Sequence, residues 1–271
     1  MAEHAPIITL TTDFGTADPF VGTMKGVILG INPDARIVDL SHEVAPHDIV
    51  DGAFRLRASF AHFPPGTIHM VVVDPGVGSA RRPILMTSEH HRFVAPDNGV
   101  LTMVQDVETV GGVYHMTAEH YFRSPVSNTF HGRDVFAPAA AWLSRGLEPA
   151  KFGDPIGDWV RLDLPKARIT PSGAIKGILL SSDRFGNAIT NIPRELVEVV
   201  RQKSPGALSL RTTEHLVTRE VRAYEEITGD APAFLFNSLD LVEIALNRRS
   251  AIRALGLKRG DPIELQPQAG T

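Results

Sequence analysis

The fold is decided by residues 7–40, IITLTTDFGTADPFVGTMKGVILGINPDARIVDL. The apolar run Ile7–Thr12 predicts a strand. Asp18-Pro19 then predicts the start of a helix, because Asp favours the N-cap position and Pro the first helical position. Asn32-Pro33 predicts the end of this helix, and Arg36–Leu40 predicts a second strand. A strand, a helix and a second strand in this order indicate a β-α-β unit.

The same alternation continues to a third strand. Residues 48–62 place apolar side chains roughly on one face and predict a second helix, which Pro64-Pro65-Gly66 ends. Thr67–Val73 is nearly all apolar, as expected of a central strand that is buried on both faces. The β-α-β-α-β rhythm predicts a doubly wound α/β domain.

The pattern changes after about residue 160, and the chain is expected to form two domains. Residues 1–162 are the predicted N-terminal α/β domain, and Arg161–Gly173 reads as a linker because it holds two prolines. Residues 173–271 are the predicted second domain, smaller and mostly β. Its expected strands span 174–182, 207–212, 233–237 and 261–266.

Composition excludes several classes of protein. The 271 residues include no Cys, so a disulfide scaffold, a thiolate zinc site and a cysteine nucleophile are excluded. The net charge is -4 and no long basic run is present, which argues against a nucleic-acid partner. Residues 7–12 are too short to span a membrane, and Met1–Pro6 lacks a signal-peptide pattern. We therefore expect a cytoplasmic protein with no membrane or nucleic-acid partner.

Acidic residues are expected at one edge of the predicted sheet. Asp13, Asp39 and Asp74 follow the first three strands. In open α/β sheets, ligands bind beyond the carboxyl ends of the strands. Each Asp alone could be a turn former, and Asp18 could be the N-cap of the first helix. Three such residues together favour a binding site.

Two further segments of the N-terminal half are candidates for chemistry. The loop Asp74–Ser79, DPGVGS, matches neither a phosphate-binding Walker loop nor a dinucleotide fingerprint, and Arg81 and Arg82 follow it. His131 lies in Asn128–Asp134, NTFHGRD, just before a predicted helix. A solvated arginine pair and a turn histidine are the structural alternatives.

The second domain holds its own polar cluster. Asp183–Asn191, DRFGNAITN, follows an apolar strand, and Asn237-Ser238 follows another. A β-turn with backbone-capping Asn residues would explain this composition. An Asn amide can also donate and accept at the same time, as recognition of an adenine edge requires.

These segments occur in an order that is specific. They are Thr11–Gly15 (TTDFG), Val73–Gly78 (VDPGVG), Pro96–Gly99 (PDNG), Thr129–Asp134 (TFHGRD), Asp183–Asn187 (DRFGN) and Asn237-Ser238. Taken together, they resemble the S-adenosylmethionine hydroxide adenosyltransferases over nearly the whole chain. That family is related to the enzymes that make 5′-fluoro- or 5′-chloro-5′-deoxyadenosine from S-adenosylmethionine.

The resemblance implies a catalytic set of Asp74, Arg81 and His131. Halide-using relatives tend to have an aromatic residue at the position of Asp74 and lack the His-Gly pair after Phe130. The chain therefore matches the hydrolase pattern at all three positions. Arg248 and Leu239 are less typical, because relatives often have a small residue at the first position and a small or basic residue at the second.

The resemblance also implies substrate contacts on both domains. Asp13 is expected to bind the ribose hydroxyls, Phe130 to wall the pocket, and Asn187 to read the adenine edge. Asp183 is expected to meet the methionine ammonium and Ser238 its carboxylate. Asp18 and His47 are further substrate-binding candidates. Relatives typically form a trimer, with each ligand between one chain's N-terminal domain and its neighbour's C-terminal domain.

The resulting expectation is a hydrolase that converts S-adenosyl-L-methionine to adenosine and L-methionine by water attack at ribose C5′, without metal or cofactor. Three alternatives compete with it. One is a halogenating enzyme that forms 5′-chloro-5′-deoxyadenosine. Another is a metal-dependent hydrolase built on Asp13, Asp39, Asp74 and His131. The last is a protein that binds adenosine or S-adenosylmethionine without consuming it.

Overall fold

A computed structural model of the chain describes residues 5–268. It divides into two compact units, Met1–Leu162 and Asp163–Thr271. The outer ends of the two predicted domains, residues 1 and 271, lie outside the described residues. Across residues 5–268, no helix combines the length and apolar character needed to cross a membrane.

The N-terminal unit is built on a six-stranded mixed sheet. Its strands are β1 (Ile7–Thr12), β2 (Arg36–Ser41), β3 (Ile68–Val72), β4 (Pro83–Ser88), β5 (Arg92–Pro96) and β6 (Val110–His115). Their order across the sheet is β2-β1-β3-β5-β4-β6. β2, β1, β3 and β5 are parallel, whereas β4 is antiparallel to both of its neighbours. β4 and β5 are consecutive and form a hairpin.

Helices cover both faces of this sheet. They are α1 (Phe20–Ile31), α2 (Ile49–Arg57) and α3 (Ala137–Ser144), the last of which directly follows a π-helical turn, Gly132–Phe136. Met24 of α1 and Met70 of β3 lie in one apolar core, and Leu56 of α2 and Val71 of β3 lie in another. Adjacent residues of β3 thus point to opposite faces, and the doubly wound α/β prediction is confirmed.

One local prediction was wrong. Asp18 is not the N-cap of α1, because the helix begins one residue later, with Pro19 at the cap and the N–H of Thr23 donating to the Pro19 carbonyl at 2.8 Å. The turn between β4 and β5 contains one buried histidine. His91 is buried, with its ring edge-on to Phe60 at 5.6 Å between centroids. The apolar pocket around Phe60 removes this histidine from water.

The C-terminal unit is mostly β, as predicted. Its strands are β7 (Arg168–Ile169), β8 (Ile175–Ser182), β9 (Ala188–Pro193), β10 (Leu208–Arg211), β11 (Leu216–Val217), β12 (Ala233–Phe236), β13 (Leu241–Ala245) and β14 (Pro262–Pro267). All pairings are antiparallel, and the order is β11-β10-β14-β8-β9-β13-β12 with β7 beside β8. Two short helices, α4 (Arg194–Lys203) and α5 (Ala251–Ala254), complete the unit.

Polar composition concealed one central strand of this sheet. β9 includes the last residues of Asp183–Asn191, the polar segment for which a β-turn was predicted. Its Thr190 hydroxyl donates to the Val242 carbonyl at 2.7 Å, and the Asn191 amide donates to the Pro165 carbonyl at 2.6 Å. These bonds satisfy both polar side chains within the folded unit, so the strand can contain two adjacent polar residues.

Candidate active site

Asp74 and Arg81 form a buried ion pair at the carboxyl end of β3. Arg81 Nε donates to Asp74 Oδ1 at 2.9 Å and to Oδ2 at 3.0 Å, and its Nη2 also donates to Oδ2. The side chains are only 5% (Asp74) and 9% (Arg81) exposed. The guanidinium lies over the ring of Phe136 at 5.3 Å, which further fixes its plane.

His131 completes this group from the start of the π-helical turn. Arg81 Nη2 donates to His131 Nδ1 at 2.6 Å. Because a guanidinium can only donate, Nδ1 must accept, and the proton of the neutral ring is then on Nε2. Burial lowers the pKa of His131 and the Arg81 charge lowers it further, although the Asp74 and Asp134 carboxylates act in the opposite direction. The structure therefore brings Asp74, Arg81 and His131 together with a neutral imidazole.

Arg81 retains one donor for a ligand. Its Nη1 is buried and has no hydrogen-bond partner within residues 5–268. An unsatisfied buried donor is costly, so such a group calls for an explanation. A water molecule or a ligand oxygen beside the guanidinium would satisfy Nη1.

A glycine positions the loop that bears Arg81. Gly78 has φ +77°, and a Cβ built at this residue would clash with the backbone carbonyl of Asn128. Only glycine combines this dihedral with so close an approach. The contact packs the loop after β3 against the segment that leads to His131, and so holds the two parts of the group at a fixed separation.

Asp13 lies at the same edge of the sheet as Asp74. Thr12 of β1 pairs with Val72 of β3, so the residues that follow each strand emerge side by side. The backbone N–H of His47 donates to Asp13 Oδ2 at 2.8 Å, while the His47 side chain is 77% exposed. His47 has φ +65°, an uncommon conformation for a residue with a side chain. The strained backbone of His47 thus orients the Asp13 carboxylate.

An aromatic cluster connects Asp13 with the His131 segment. The Phe130 ring contacts Phe14 at 6.0 Å and Phe20 at 5.2 Å between centroids, in edge-to-face geometry. Phe14 directly follows Asp13, and Phe130 directly precedes His131. Phe130 thus links the two segments that carry Asp13 and His131. Asp18 is exposed in the loop before α1.

The C-terminal unit contains a cavity of 820 Å³ whose lining includes Asp183 and Asn187. Asp183 Oδ1 accepts from the backbone N–H groups of Phe185 and Asn187, both at 2.9 Å. The Asn187 amide donates to Asp183 Oδ2 at 2.8 Å. This bond directs the amide nitrogen towards the carboxylate. The amide oxygen is the group left for a ligand donor, such as an exocyclic amine.

Ser238 does not belong to the lining of this cavity. It is exposed in the turn between β12 and β13. The lining does include Arg248, which the sequence marked as atypical for the family, and Tyr224, which the sequence did not single out. Arg248 has φ +52°, and strained residues of this kind concentrate at functional sites. Tyr224 carries no local motif and lies far along the chain from Asp183, so no pattern in the sequence indicated it.

The metal-dependent alternative requires acidic and histidine side chains that are grouped around one ion. Across residues 5–268, no three His, Asp or Glu side chains are grouped as ligands of one metal ion would be. Asp39, one member of that rival set, lies inside β2 rather than after it. It pairs with Lys25 at 2.6 Å and with His42 at 3.0 Å.

The fold and the site define an α/β protein with an Asp–Arg–His centre and a separate polar cavity on a β-rich unit. The family described as SAM hydroxide adenosyltransferase N-terminal domain matches residues 8–153, and the corresponding C-terminal domain matches residues 177–264. The chain belongs to the SAM hydroxide adenosyltransferase family, as its ordered motifs predict.

Individual relatives extend this result. A Thermus thermophilus protein named (R)-S-adenosyl-L-methionine hydrolase is 35% identical over 94% of this chain and 97% of its own length. A fluorinase of Actinoplanes sp. is 28% identical over 73% of this chain and 75% of its own. The crystal structure of an uncharacterized conserved protein from Thermotoga maritima superposes with a TM-score of 0.87 at 35% identity, covering 95% of this chain and 99% of that one.

Proposed function

We propose that this protein hydrolyses S-adenosyl-L-methionine to adenosine and L-methionine. The observation that supports this most directly is the buried Asp74–Arg81–His131 group with its unpartnered Arg81 Nη1. The four relatives named (R)-S-adenosyl-L-methionine hydrolase are 34–40% identical to the chain, whereas the fluorinases are 25–28% identical. Hydrolase chemistry is therefore the better match.

Water is the proposed nucleophile. Its oxygen bonds to ribose C5′ while the C5′–S bond breaks, and the bonding electrons go to sulfur. Methionine leaves as a neutral thioether, so the leaving group needs no general acid. Arg81 Nη1 donates to the water and holds it at near-attack distance, a form of positioning that can contribute several orders of magnitude to the rate.

Asp74 is the proposed proton acceptor. His131 receives the Arg81 bond at Nδ1 and carries its proton on Nε2, so the neutral ring can only donate to the water. Free water has a pKa of about 15.7, but its acidity rises sharply as the new C–O bond forms. A carboxylate is then a sufficient base. His131 orients the water, and the Arg81 charge stabilises its developing hydroxide character.

Substrate contacts follow the family resemblance. Asp13, oriented by His47, is proposed to bind the ribose hydroxyls, and Phe130 to wall the reacting carbon. The cavity residues Asp183 and Asn187 are proposed to bind the ammonium and the adenine edge. Ser238 is retained as a candidate for the carboxylate and Asp18 as a further candidate on the N-terminal unit.

Because these residues belong to two units, we also propose a homotrimer in which each site is shared between neighbouring copies. A symmetric trimer would supply three equivalent sites. A cytoplasmic location is part of the same proposal, and fractionation of the source cells tests it.

The direct test is to incubate the purified protein with S-adenosylmethionine and to separate the products by chromatography. Parallel samples contain a metal chelator, added chloride or added fluoride. Equal amounts of adenosine and methionine in every sample are expected. Loss of activity with chelator would favour the metal-dependent alternative, a halogenated nucleoside would favour the halogenase, and unchanged substrate would favour a binding protein.

A further inference from the structure

A carboxylate lies buried beside the C-terminal cavity. Glu243 is a residue of β13 and is 2% exposed. Across the sheet it pairs with Leu235 of β12 and Ile189 of β9, neither of which is charged. Burying an ionisable group among such neighbours is unfavourable unless other groups compensate it, so a buried acid of this kind needs an explanation.

Two neutral hydrogen-bond donors partly compensate the cost of burying the Glu243 carboxylate. The Tyr224 hydroxyl donates to Oε1 at 2.6 Å, and the Asn237 amide donates to Oε2 at 3.2 Å. Within residues 5–268, these are the hydrogen-bond donors that reach this carboxylate, and neither carries a positive charge. Burial raises the pKa of Glu243 and the Asp183 charge raises it further, against the two hydrogen bonds.

Tyr224 connects the buried acid to the cavity. Its ring lines the cavity together with Asp183, and its hydroxyl points to Glu243. Burial raises the pKa of the Tyr224 hydroxyl, and the Glu243 bond and charge raise it further. The hydroxyl therefore stays a donor to Glu243. Glu243, which does not line the cavity, therefore sets the orientation of the Tyr224 ring.

The other charges around the cavity are mixed. Glu225, Arg248 and Arg249 also line it, and Arg249 pairs with Asp230 at 3.1 Å. Asp183 is the lining charge that acts on both Tyr224 and Glu243. Asp183 and Glu243 are therefore the acidic side chains that act on Tyr224 at the cavity wall.

We propose that Glu243 is a positioning residue that fixes Tyr224 at the cavity wall and, with Asp183, makes this cavity select a nucleoside that bears positive charge. The inference rests on the proposed function. S-adenosylmethionine carries a sulfonium and an ammonium, whereas the product adenosine is uncharged. Glu243 thus favours binding of the substrate over retention of the nucleoside product.

The test compares the native protein with Glu243→Gln by steady-state kinetics. Glutamine keeps the size of the side chain and can still accept the Tyr224 hydrogen bond, but it removes the charge and places a donor opposite the Asn237 amide. We expect KM for S-adenosylmethionine to rise about tenfold, and by more than kcat falls, because one nearby charge is lost in a poorly solvated site. The inhibition constant of adenosine is expected to stay within about twofold of the native value, since adenosine has no charge to lose.

Two further variants make the result specific. Glu214→Gln removes an equal charge from an exposed turn of the same unit and should change neither constant. Tyr224→Phe keeps the Glu243 charge and loses the hydrogen bond, so it should weaken both ligands by the same factor. An equal loss for both ligands in Glu243→Gln, or no loss for either, would overturn the inference. A native protein that releases no adenosine would instead contradict the proposed function.

Discussion

Arg81 acts on two partners with one planar side chain. Its Nε and Nη2 hold Asp74, its Nη2 also reaches His131, and its Nη1 has no hydrogen-bond partner in the described part of the chain. A lysine is a point charge on a flexible stem and cannot reproduce this geometry. Removal of one preorganised donor to a developing oxyanion typically lowers kcat by about 10²–10³-fold.

The first prediction concerns this geometry. Arg81→Lys should lower kcat by about 10²-fold and change KM far less, because the lost interaction acts mainly in the transition state. Steady-state kinetics measures both constants. The matched control is Arg36→Lys, an exposed position at the opposite end of the sheet, which should behave as the native protein does. Equal turnover in both variants would remove Arg81 from the mechanism.

A second prediction follows from the protonation state of His131. The ring must be neutral to accept from Arg81, and its pKa is lowered from 6.5 by burial and by the Arg81 charge. Activity should therefore be fully present above pH 6.5 and be lost as pH falls through the lowered pKa of His131. A kcat profile from pH 4 to 8, with unfolding monitored in parallel, measures this limb. Activity that instead rises as pH falls below 6.5 would mean that His131 is used in its charged form.

Side chains in ordered motifs could be predicted from the sequence, but their individual contacts could not. Asp74, Arg81 and His131 were chosen by resemblance and do lie together. The unpartnered Nη1 is a property of packing and has no sequence signal. Ser238 is a case in which the motif was present but the expected placement was not found. A motif matched at this position, yet the side chain is not among those that line the cavity.

At the scale of elements, the loop after β3 determines the site because it carries both Asp74 and Arg81. A third prediction tests its contact with the Asn128 segment. Gly78→Ala should lower the free energy of unfolding by about 2 kcal/mol or more and reduce kcat, because φ is positive and the new Cβ meets backbone. Denaturant unfolding and kinetics measure the two effects.

Gly66 provides the matched control for this substitution. It also has positive φ, +87°, but an added Cβ has open space around it. Gly66→Ala should therefore cost about 1 kcal/mol, the backbone strain alone, and should leave kcat unchanged. If the two variants proved equally stable and equally active, the close approach at Gly78 would have no role in positioning Arg81.

Regular elements were predicted where the apolar pattern is strong. β1 and β3 follow from their apolar runs, and the core on each face of the first sheet follows from the β-α alternation. β9 was missed, and so was β13, although β13 is largely apolar. Thr190 and Asn191 of β9 are polar but are satisfied by partners distant in sequence, Val242 and Pro165, and local pattern contains no information on such partners.

At the scale of the whole molecule, the central question is whether each site draws on two copies of the chain. A fourth prediction tests this by complementation. Asp13→Ala and Asp183→Ala, each inactive alone, are mixed after mild dissociation and reassembly. With sites shared between neighbours, random assembly leaves about a quarter of the sites intact, and activity should return to about that fraction.

The control for complementation is a mixture of Asp13→Ala with His131→Ala, two substitutions in the same unit of the chain. This mixture should recover no activity, because no copy supplies an intact N-terminal unit. Recovery in neither mixture, with native-like assembly by light scattering, would mean that one chain forms the whole site.

The most direct measurement of the proposed chemistry is a single turnover of S-adenosylmethionine in water enriched with oxygen-18, followed by mass spectrometry of both products. Attack of water on ribose C5′ predicts one heavy oxygen in the 5′-hydroxyl of adenosine and none in methionine. Adenosine without the label, or a label in methionine, would contradict water attack at C5′ by the Asp74–Arg81–His131 group.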